Sequence, residues 1–190
     1  AIIDPLYLAD ASLAGFVDGE KVPLLDLVYG AVVPSGAEAT EALSIYVAGS
    51  EEAYAELMNE QAAALGLTNV TAVTARAEDA GAGELRGTFD YVTARAVARL
   101  NMLCEFCIPL LRVGGEFLPM KGKSGAEELT EAENAIAVLR AKTVEYVEYA
   151  IRDPAFDEDR QERFIARIRK TDETEKIYPR SFAQIKKKPL

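Results

Sequence analysis

The sequence contains no histidine, and only two of its 190 residues are cysteines. Without imidazole the usual general base is missing, and most nucleophile triads are excluded. The cysteines, Cys104 and Cys107, have the Cys-x-x-Cys spacing of redox and half-zinc motifs. A structural zinc site needs four ligands, and the sequence has neither a histidine nor a second cysteine pair to complete one. We therefore interpret both cysteines as core-facing thiols of a protein in a reducing compartment.

Long apolar runs are also absent, since no stretch approaches the roughly 20 residues that a membrane-spanning helix requires. No signal peptide is visible. Apolar residues make up 49% and aromatic residues 8% of the chain, as in soluble globular proteins, and 190 residues suit one domain with a sizeable core. We expect a cytoplasmic monomer that uses neither a membrane nor a metal.

Basic residues are almost missing from the first 75 residues, which hold eleven acids and one base and so carry the whole net charge of −10. The other 115 residues hold 20 bases and 20 acids. Within them, residues 176–190 contain five bases and no acid. Such a basic tail either contacts phosphate groups or is a solvated terminus without a partner, and charge alone leaves both readings open.

Apolar runs and helical periodicity alternate along the chain. Short apolar runs predict strands at 22–28, 45–48, 70–74, 89–92, 116–120, 143–150 and 163–169. Helical spacing and capping signals predict helices at 1–15, 37–43, 51–65, 100–111 and 126–139, with Ser50 as an N-cap and Gly114-Gly115 as a helix stop. This order predicts an α/β fold with a mostly parallel, doubly wound sheet and a C-terminal antiparallel hairpin.

Polar residues follow several predicted strands, at the edge where open α/β sheets bind their ligands. Arg95 and Lys121 each end such a strand, so we expect them to be neighbours in space. Gly30 follows the first strand, where a glycine turn would let backbone amides approach a cofactor. Ala77 and Glu78 follow the third predicted strand and form a polar turn. We expect this turn either to border an adenine ring or to be exposed to solvent only.

Four segments carry a resemblance to a known family. They are LGLTNVTAVTARAEDA (65–80), DYVTARAV (90–97), CIPLLRVGGEFLPMKG (107–122) and KIYPRSFAQIKKKPL (176–190). Together they resemble the small-subunit ribosomal RNA guanine-N7 methyltransferase family, also called glucose-inhibited division protein B. The similarity covers nearly everything from Leu65 to the last residue, and Ile3–Leu6 resembles the family's lead into the domain.

The resemblance implies one Rossmann-like class I methyltransferase domain over residues 1–190. The implied reaction transfers a methyl group from S-adenosylmethionine to N7 of one guanine in 16S ribosomal RNA. The partner is either this RNA or the small ribosomal subunit. Residues 1–20 would be the remnant of an N-terminal helical segment, and 176–190 a basic tail. Guanine N7 has an exposed lone pair and no proton, so the reaction needs alignment rather than a general base. A chain without histidine is suited to that chemistry.

The resemblance also implies roles for matching positions. The cofactor-binding positions are Asp26, Gly30, Val33, Ser50, Ala77, Glu78 and Arg95. Arg95 and Lys121 are implied to be catalytic, against the simpler roles of a helix-capping surface arginine and a strand-end charge. The RNA-binding positions are Arg180, Lys186, Lys187 and Lys188.

The first turn departs from the family pattern. The family has a glycine run close to Gly-Ser-Gly-Ala-Gly-Phe-Pro-Gly, whereas this chain has Val28–Ser35, which keeps Gly30 and loses three glycines. The side chains of Val28 and Val32 would occupy space that the cofactor needs. Two alternatives therefore stand beside the RNA methyltransferase. One is a cofactor-incompetent RNA- or ribosome-binding module on the same fold, and the other is a small-molecule methyltransferase or nucleotide-binding enzyme.

Overall fold

The structure is a computed structural model that describes residues 12–95, 97–152 and 160–190. The chain divides into two compact units, of which the first ends at Thr74 and the second comprises Ala75–Leu190. The described part of the first unit is helical, whereas the second unit combines a sheet with helices.

Residues 12–74 of the first unit contain three helices: α1 (Leu24–Val32), α2 (Ala37–Ala48) and α3 (Glu51–Ala64). Helix α2 ends at Gly49, whose φ of 91° is a left-handed conformation that glycine adopts without strain. Ser50 then begins α3, because its hydroxyl oxygen accepts a hydrogen bond from the amide of Ala53 at 3.1 Å. The predicted helix at 51–65 and its N-cap are confirmed.

Three predicted strands of this unit are wrong. Residues 22–28 contribute to α1 and residues 45–48 to α2, because a short apolar run fits either a strand or a helix and leucine and alanine favour the helix. Residues 70–74 have no regular secondary structure. There the backbone of Ala72 bonds to the side chain of Asn59 at 2.6 and 3.0 Å instead of to a strand.

Other predictions for this unit had different outcomes. The helix predicted at 37–43 is confirmed and continues to Ala48. Residues 1–11 of the helix predicted at 1–15 lie outside the described residues, and so does half of the expected N-terminal remnant at 1–20. Residues 12–17 have no regular secondary structure.

The described residues of the second unit form four strands and five α-helices. In chain order they are α4 (Ala77–Ala82), β1 (Phe89–Arg95), α5 (Leu100–Cys107), β2 (Leu111–Lys121), α6 (Gly125–Glu131), α7 (Glu133–Val138), β3 (Ala141–Arg152), β4 (Arg160–Lys170) and α8 (Phe182–Lys187). The sheet order is β1-β2-β4-β3. Strands β1 and β2 are parallel, and the other two pairs are antiparallel. The α/β class and the C-terminal antiparallel hairpin are confirmed, and the parallel part of the described sheet is the β1–β2 pair.

The connection from α5 to β2 differs in detail from the prediction. Helix α5 ends at Cys107, and Ile108–Leu110 form a 3₁₀ turn in which Pro109 has no amide hydrogen to continue the helix. Gly114 and Gly115 lie within β2 rather than at a helix stop. A Cβ on Gly115 would lie 2.9 Å from the carbonyl oxygens of both Phe89 and Asp90, so this close approach of the strands requires glycine.

One face of the sheet packs against helices and forms the core. Leu100 and Leu103 of α5 are buried with Phe117 and Ile168 of the sheet. The thiols of Cys104 and Cys107 are buried and unoxidised in the same cluster, which confirms that they face the core. Burial raises the pKa of both thiols, that of Cys107 to about 12, and so keeps them protonated and unreactive.

Candidate active site

Arg95 is the last residue of β1, and its side chain is exposed. Its register partner in the parallel strand β2 is Met120, which immediately precedes Lys121. The two basic residues therefore end neighbouring strands at the same edge of the sheet, as the sequence predicts. Their roles in catalysis stay predictions.

The side chain of Lys121 points into the protein and is only 10% exposed. Its ammonium group donates a hydrogen bond to the carbonyl oxygen of Ala98 at 2.7 Å. It also forms an ion pair with Oε2 of Glu128, again at 2.7 Å. Arg95 and Lys121 thus differ in kind, because one is open to a ligand and the other is engaged within the protein.

Glu128 is a residue that sequence reasoning missed. Its carboxylate is 8% exposed and accepts hydrogen bonds from the amide of Leu100 and the hydroxyl of Ser124, both at 2.9 Å. Burial works against the ionised form, but the hydrogen bonds from Lys121 and Ser124 outweigh it and lower the pKa of Glu128. Sequence reasoning missed this acid because two of its partners, Lys121 and Leu100, lie on other elements.

The predicted cofactor residues of the first unit are used for local structure. Asp26 is exposed in the first turn of α1, Val33 ends that helix with 77% exposure, and Ser50 caps α3. Gly30 is buried, and a Cβ there would lie 2.4 Å from the ring of Phe16. The glycine of the predicted turn thus permits close packing of the chain against itself.

Residues 14–16 occupy the side of the turn that a cofactor would need. A Cβ on Gly36 would lie 2.8 Å from the Cβ of Ala14. Glu38, which is 1% exposed, holds this segment, because its Oε1 accepts hydrogen bonds from the amides of Ala14, Gly15 and Phe16 at 2.6 to 3.3 Å. In this arrangement the residues of the turn do not fit a bound cofactor.

The carboxylate of Glu38 is ionised in this environment. Burial opposes its charge, but the three backbone amides outweigh burial and lower its pKa. Its other oxygen, Oε2, is buried without a hydrogen-bond partner among residues 12–95, 97–152 and 160–190. Sequence reasoning missed Glu38 because its bonds span more than 20 residues of chain.

The predicted adenine-binding pair lies in the second unit. Ala77 is exposed and begins α4, and the side chain of Glu78, in the same turn, is 11% exposed. An arginine nitrogen of Arg76 lies 3.9 Å from the Glu78 carboxylate. A carboxylate can accept a hydrogen bond from the amino group of a base, and the adenine-binding role of this pair stays a prediction. Each unit by itself contains only part of the predicted cofactor set.

The basic tail is anchored by two arginines. Arg180 donates its backbone amide, Nε and Nη2 to the carboxylate of Glu105 at 2.7 to 2.8 Å, and Glu105 is fully buried. These hydrogen bonds raise the pKa of Arg180. The guanidinium of Arg86 donates to the carbonyl oxygens of Gly81, Thr174, Glu175 and Tyr178.

Beyond this anchor lies the short helix α8, and three consecutive lysines lie at its end. Lys187 and Lys188 are exposed, and Lys186 is half-buried. Of the predicted RNA-binding residues, Arg180 uses its donors Nε and Nη2 to bind Glu105. The RNA-binding role of all four residues stays a prediction.

A shallow hollow lies at the opposite end of the strands from Arg95. Its charged lining residues are Asp90, Arg112, Glu116, Arg167 and Arg169. Each of these arginines is paired with an acid, and the hydrogen bonds from Arg167 and Arg169 lower the pKa of Glu116. The hollow is therefore lined by ion-paired side chains, three arginines and two acids, with Glu116 shared by Arg167 and Arg169.

Two structural features are absent from residues 12–95, 97–152 and 160–190. None of the helices there is long and apolar enough to cross a membrane. Nor do those ranges bring together three or more histidine, cysteine, aspartate or glutamate residues in a way that could hold a metal ion.

Comparison with known proteins gives one family. Residues 15–155 match the model of the GidB family, described as rRNA small subunit methyltransferase G. A ribosomal RNA small subunit methyltransferase G of Lactococcus lactis subsp. cremoris is 40% identical over 184 residues, covering 94% of this chain and 74% of the relative. Those of Staphylococcus saprophyticus and Lactobacillus johnsonii are 40% and 42% identical, each covering 78% of this chain and 60% of the relative. The chain thus spans 60% to 74% of the length of these relatives.

Among solved structures, a geranyl diphosphate methyltransferase in complex with SAM is 18% identical. It aligns with a TM-score of 0.40, covering 62% of this chain and 65% of that chain.

Proposed function

The chain belongs to the GidB family of rRNA small subunit methyltransferase G, and on this premise we propose that it methylates N7 of a guanine in 16S ribosomal RNA. The observation that carries the proposal is the 40% identity to a family member over 94% of the chain. The proposed methyl donor is S-adenosylmethionine, and the proposed substrate is the RNA alone or within the small ribosomal subunit. Such a substrate implies a cytoplasmic site of action.

The proposed role of Arg95 is to orient the target base. Methyl transfer to N7 requires no proton removal, so catalysis depends on bringing the lone pair into line with the methyl group. Arg95 suits this task because it is exposed at the edge where parallel strands end. Its guanidinium offers planar donors that match the acceptor O6 on the guanine edge, a contact that leaves the N7 lone pair available for the methyl group.

S-adenosylmethionine, when bound, supplies the methyl group on a positively charged sulfur. Ala77 and Glu78 are the residues that we propose to hold its adenine. The predicted glycine turn, of which Gly30 lies within α1, does not fit the cofactor in the described arrangement, because Ala14 and Phe16 pack against Gly30 and Ala14 against Gly36. We therefore assign this turn no part in the reaction.

Substitution of Arg95 tests the proposal. Arg95→Ala is expected to lower methyl transfer to unmodified 16S ribosomal RNA by about 100-fold, since loss of alignment alone has effects of that size. Its unfolding midpoint in urea should stay unchanged, because the side chain is exposed. The matched control is Arg112→Ala, another exposed arginine, at the opposite end of the β1–β2 pair. Normal turnover by Arg95→Ala would remove Arg95 from the site.

The filled glycine turn favours a second candidate, a cofactor-free RNA- or ribosome-binding module. Calorimetric titration separates the two. Heat of binding with S-adenosylmethionine supports the methyltransferase. Salt-sensitive binding of ribosomal RNA without any such heat supports the binding module, and the loss of that binding on deletion of Lys186–Lys188 would assign it to the tail.

A further inference from the structure

Lys121 and Glu128 form a buried ion pair beside the start of α5. Both side chains are at most 10% exposed, and their charged atoms are 2.7 Å apart. Lys121 ends β2, whereas Glu128 lies in α6, so the pair joins two elements. Because a buried charge needs its partner, the lysine cannot turn outward to a ligand without leaving the Glu128 carboxylate uncompensated.

The pair forms hydrogen bonds with both ends of one short segment. Lys121 donates to the carbonyl oxygen of Ala98, and Glu128 accepts from the amide of Leu100. Leu100 is the first residue of α5, so Glu128 takes one of the amides that the helix leaves unpaired at its start. The hydrogen bond to the Ala98 carbonyl oxygen and the hydrogen bond from the Leu100 amide therefore fix both ends of the segment Ala98–Leu100.

A second ion pair reinforces the attachment. Arg99, within the segment Ala98–Leu100, lies 2.5 Å from the carboxylate of Glu131, which is also in α6. This pair is exposed and is therefore the weaker of the two. Helix α6 thus holds the start of α5 through two of its acids.

We propose that Lys121 and Glu128 are positioning residues, which hold Ala98–Leu100 and thereby the nearby end of β1, where Arg95 lies. This inference rests on the proposed function of Arg95. It gives Lys121 a different role from contact with RNA, and it adds Glu128, which no motif indicates. A positioning role requires that loss of either partner has the same effect on turnover.

Three variants test this role. Lys121→Met and Glu128→Gln are each expected to lower kcat by at least 10-fold with KM for RNA unchanged. The slope of log affinity for RNA against log salt should also stay unchanged, because no phosphate contact is lost. Lys123→Met is the control, since Lys123 is an exposed lysine two residues further on, and it should leave kcat unchanged.

Amide hydrogen exchange supplies a measurement that does not depend on activity. The Leu100 amide should exchange faster in Lys121→Met and Glu128→Gln than in the wild-type chain, and Lys123→Met should not change it. If a single variant fails to fold, the double variant Lys121→Met with Glu128→Gln removes both buried charges and is measured instead.

Several results would overturn the positioning role. One is a salt slope that falls by about one in Lys121→Met, because this assigns the lysine to a phosphate. Another is a gain in RNA affinity on Glu128→Gln, which would mean that the acid masks an RNA-binding lysine. An unchanged Leu100 exchange rate would also overturn it. A wild-type chain that does not methylate RNA contradicts the proposed function instead, and exchange at Leu100 still decides whether the pair holds the segment.

Discussion

At the residue scale, buried acids with distant partners organise the described parts of both units. Glu38 binds amides 22 to 24 residues away, Glu128 binds Leu100 at a separation of 28, and Glu105 binds Arg180 at a separation of 75. Ser50 and the two cysteines were predictable, because their signals are local: a cap before an acidic turn and two thiols on an apolar face. The roles of the buried acids were not predictable, because the partner of each carboxylate is set by tertiary packing.

The pair of Arg180 and Glu105 leads to a prediction about stability. Arg180→Ala should reduce the free energy of unfolding by about 3–5 kcal/mol, because it leaves a buried carboxylate without its counter-charge. Urea denaturation measures this change. Lys187→Ala, an exposed substitution in the same tail, should stay within about 0.5 kcal/mol of wild type. An Arg180→Ala value equally close to wild type would mean that the pair does not form in solution.

Glu128 leads to a prediction about pH. Its pKa is 4.5 in the unfolded chain and lower in the folded protein, so its ionised form contributes stability that is complete above about pH 5. That contribution is lost as the pH falls through 4.5 toward the lowered value. The stability difference between wild type and Glu128→Gln should therefore be largest near pH 7 and shrink in acid. A difference that does not change between pH 7 and pH 3 would contradict the assignment.

At the element scale, alternating patterns were better guides than short apolar runs. Strands β3 and β4 were predictable, since long alternation of apolar and polar residues fits a strand with one buried face. The run Val22–Val28 was not, because leucine-rich sequence without alternation also suits the helix α1. Part of the family's glycine turn is replaced by α1 in this chain. The reason is that valine and tyrosine stand where the family has residues that disfavour a helix.

The contact of α6 with β4 leads to a prediction about packing. A Cβ on Gly125 would lie 2.3 to 2.6 Å from atoms of Phe164, whereas one on Gly122 would meet nothing within 4 Å. Gly125→Ala should therefore destabilise the protein by about 1–3 kcal/mol, as overpacking of a core does. Gly122→Ala is the matched control and should change stability by less than about 0.5 kcal/mol. Equal unfolding midpoints in urea for the two variants would contradict the described packing.

At the scale of the whole molecule, charge is distributed unevenly along the chain, and the motifs of the family resemblance lie mainly in the second unit. The net charge of −10 lies within the first 75 residues, and the tail contains three consecutive lysines, Lys186–Lys188. Family membership was predictable from motifs in the second unit, such as residues 90–97 and 107–122, because these keep the family pattern. The arrangement of the first unit was not, because its sequence departs from that pattern where the cofactor turn would be.

One measurement bears most directly on the central claim. Purified protein is incubated with labelled S-adenosylmethionine and 16S ribosomal RNA that lacks the modification, and the RNA is then digested to nucleosides. The account predicts label in N7-methylguanosine, at a level that falls about 100-fold with Arg95→Ala. No label in the RNA, or label in another nucleoside, would contradict it.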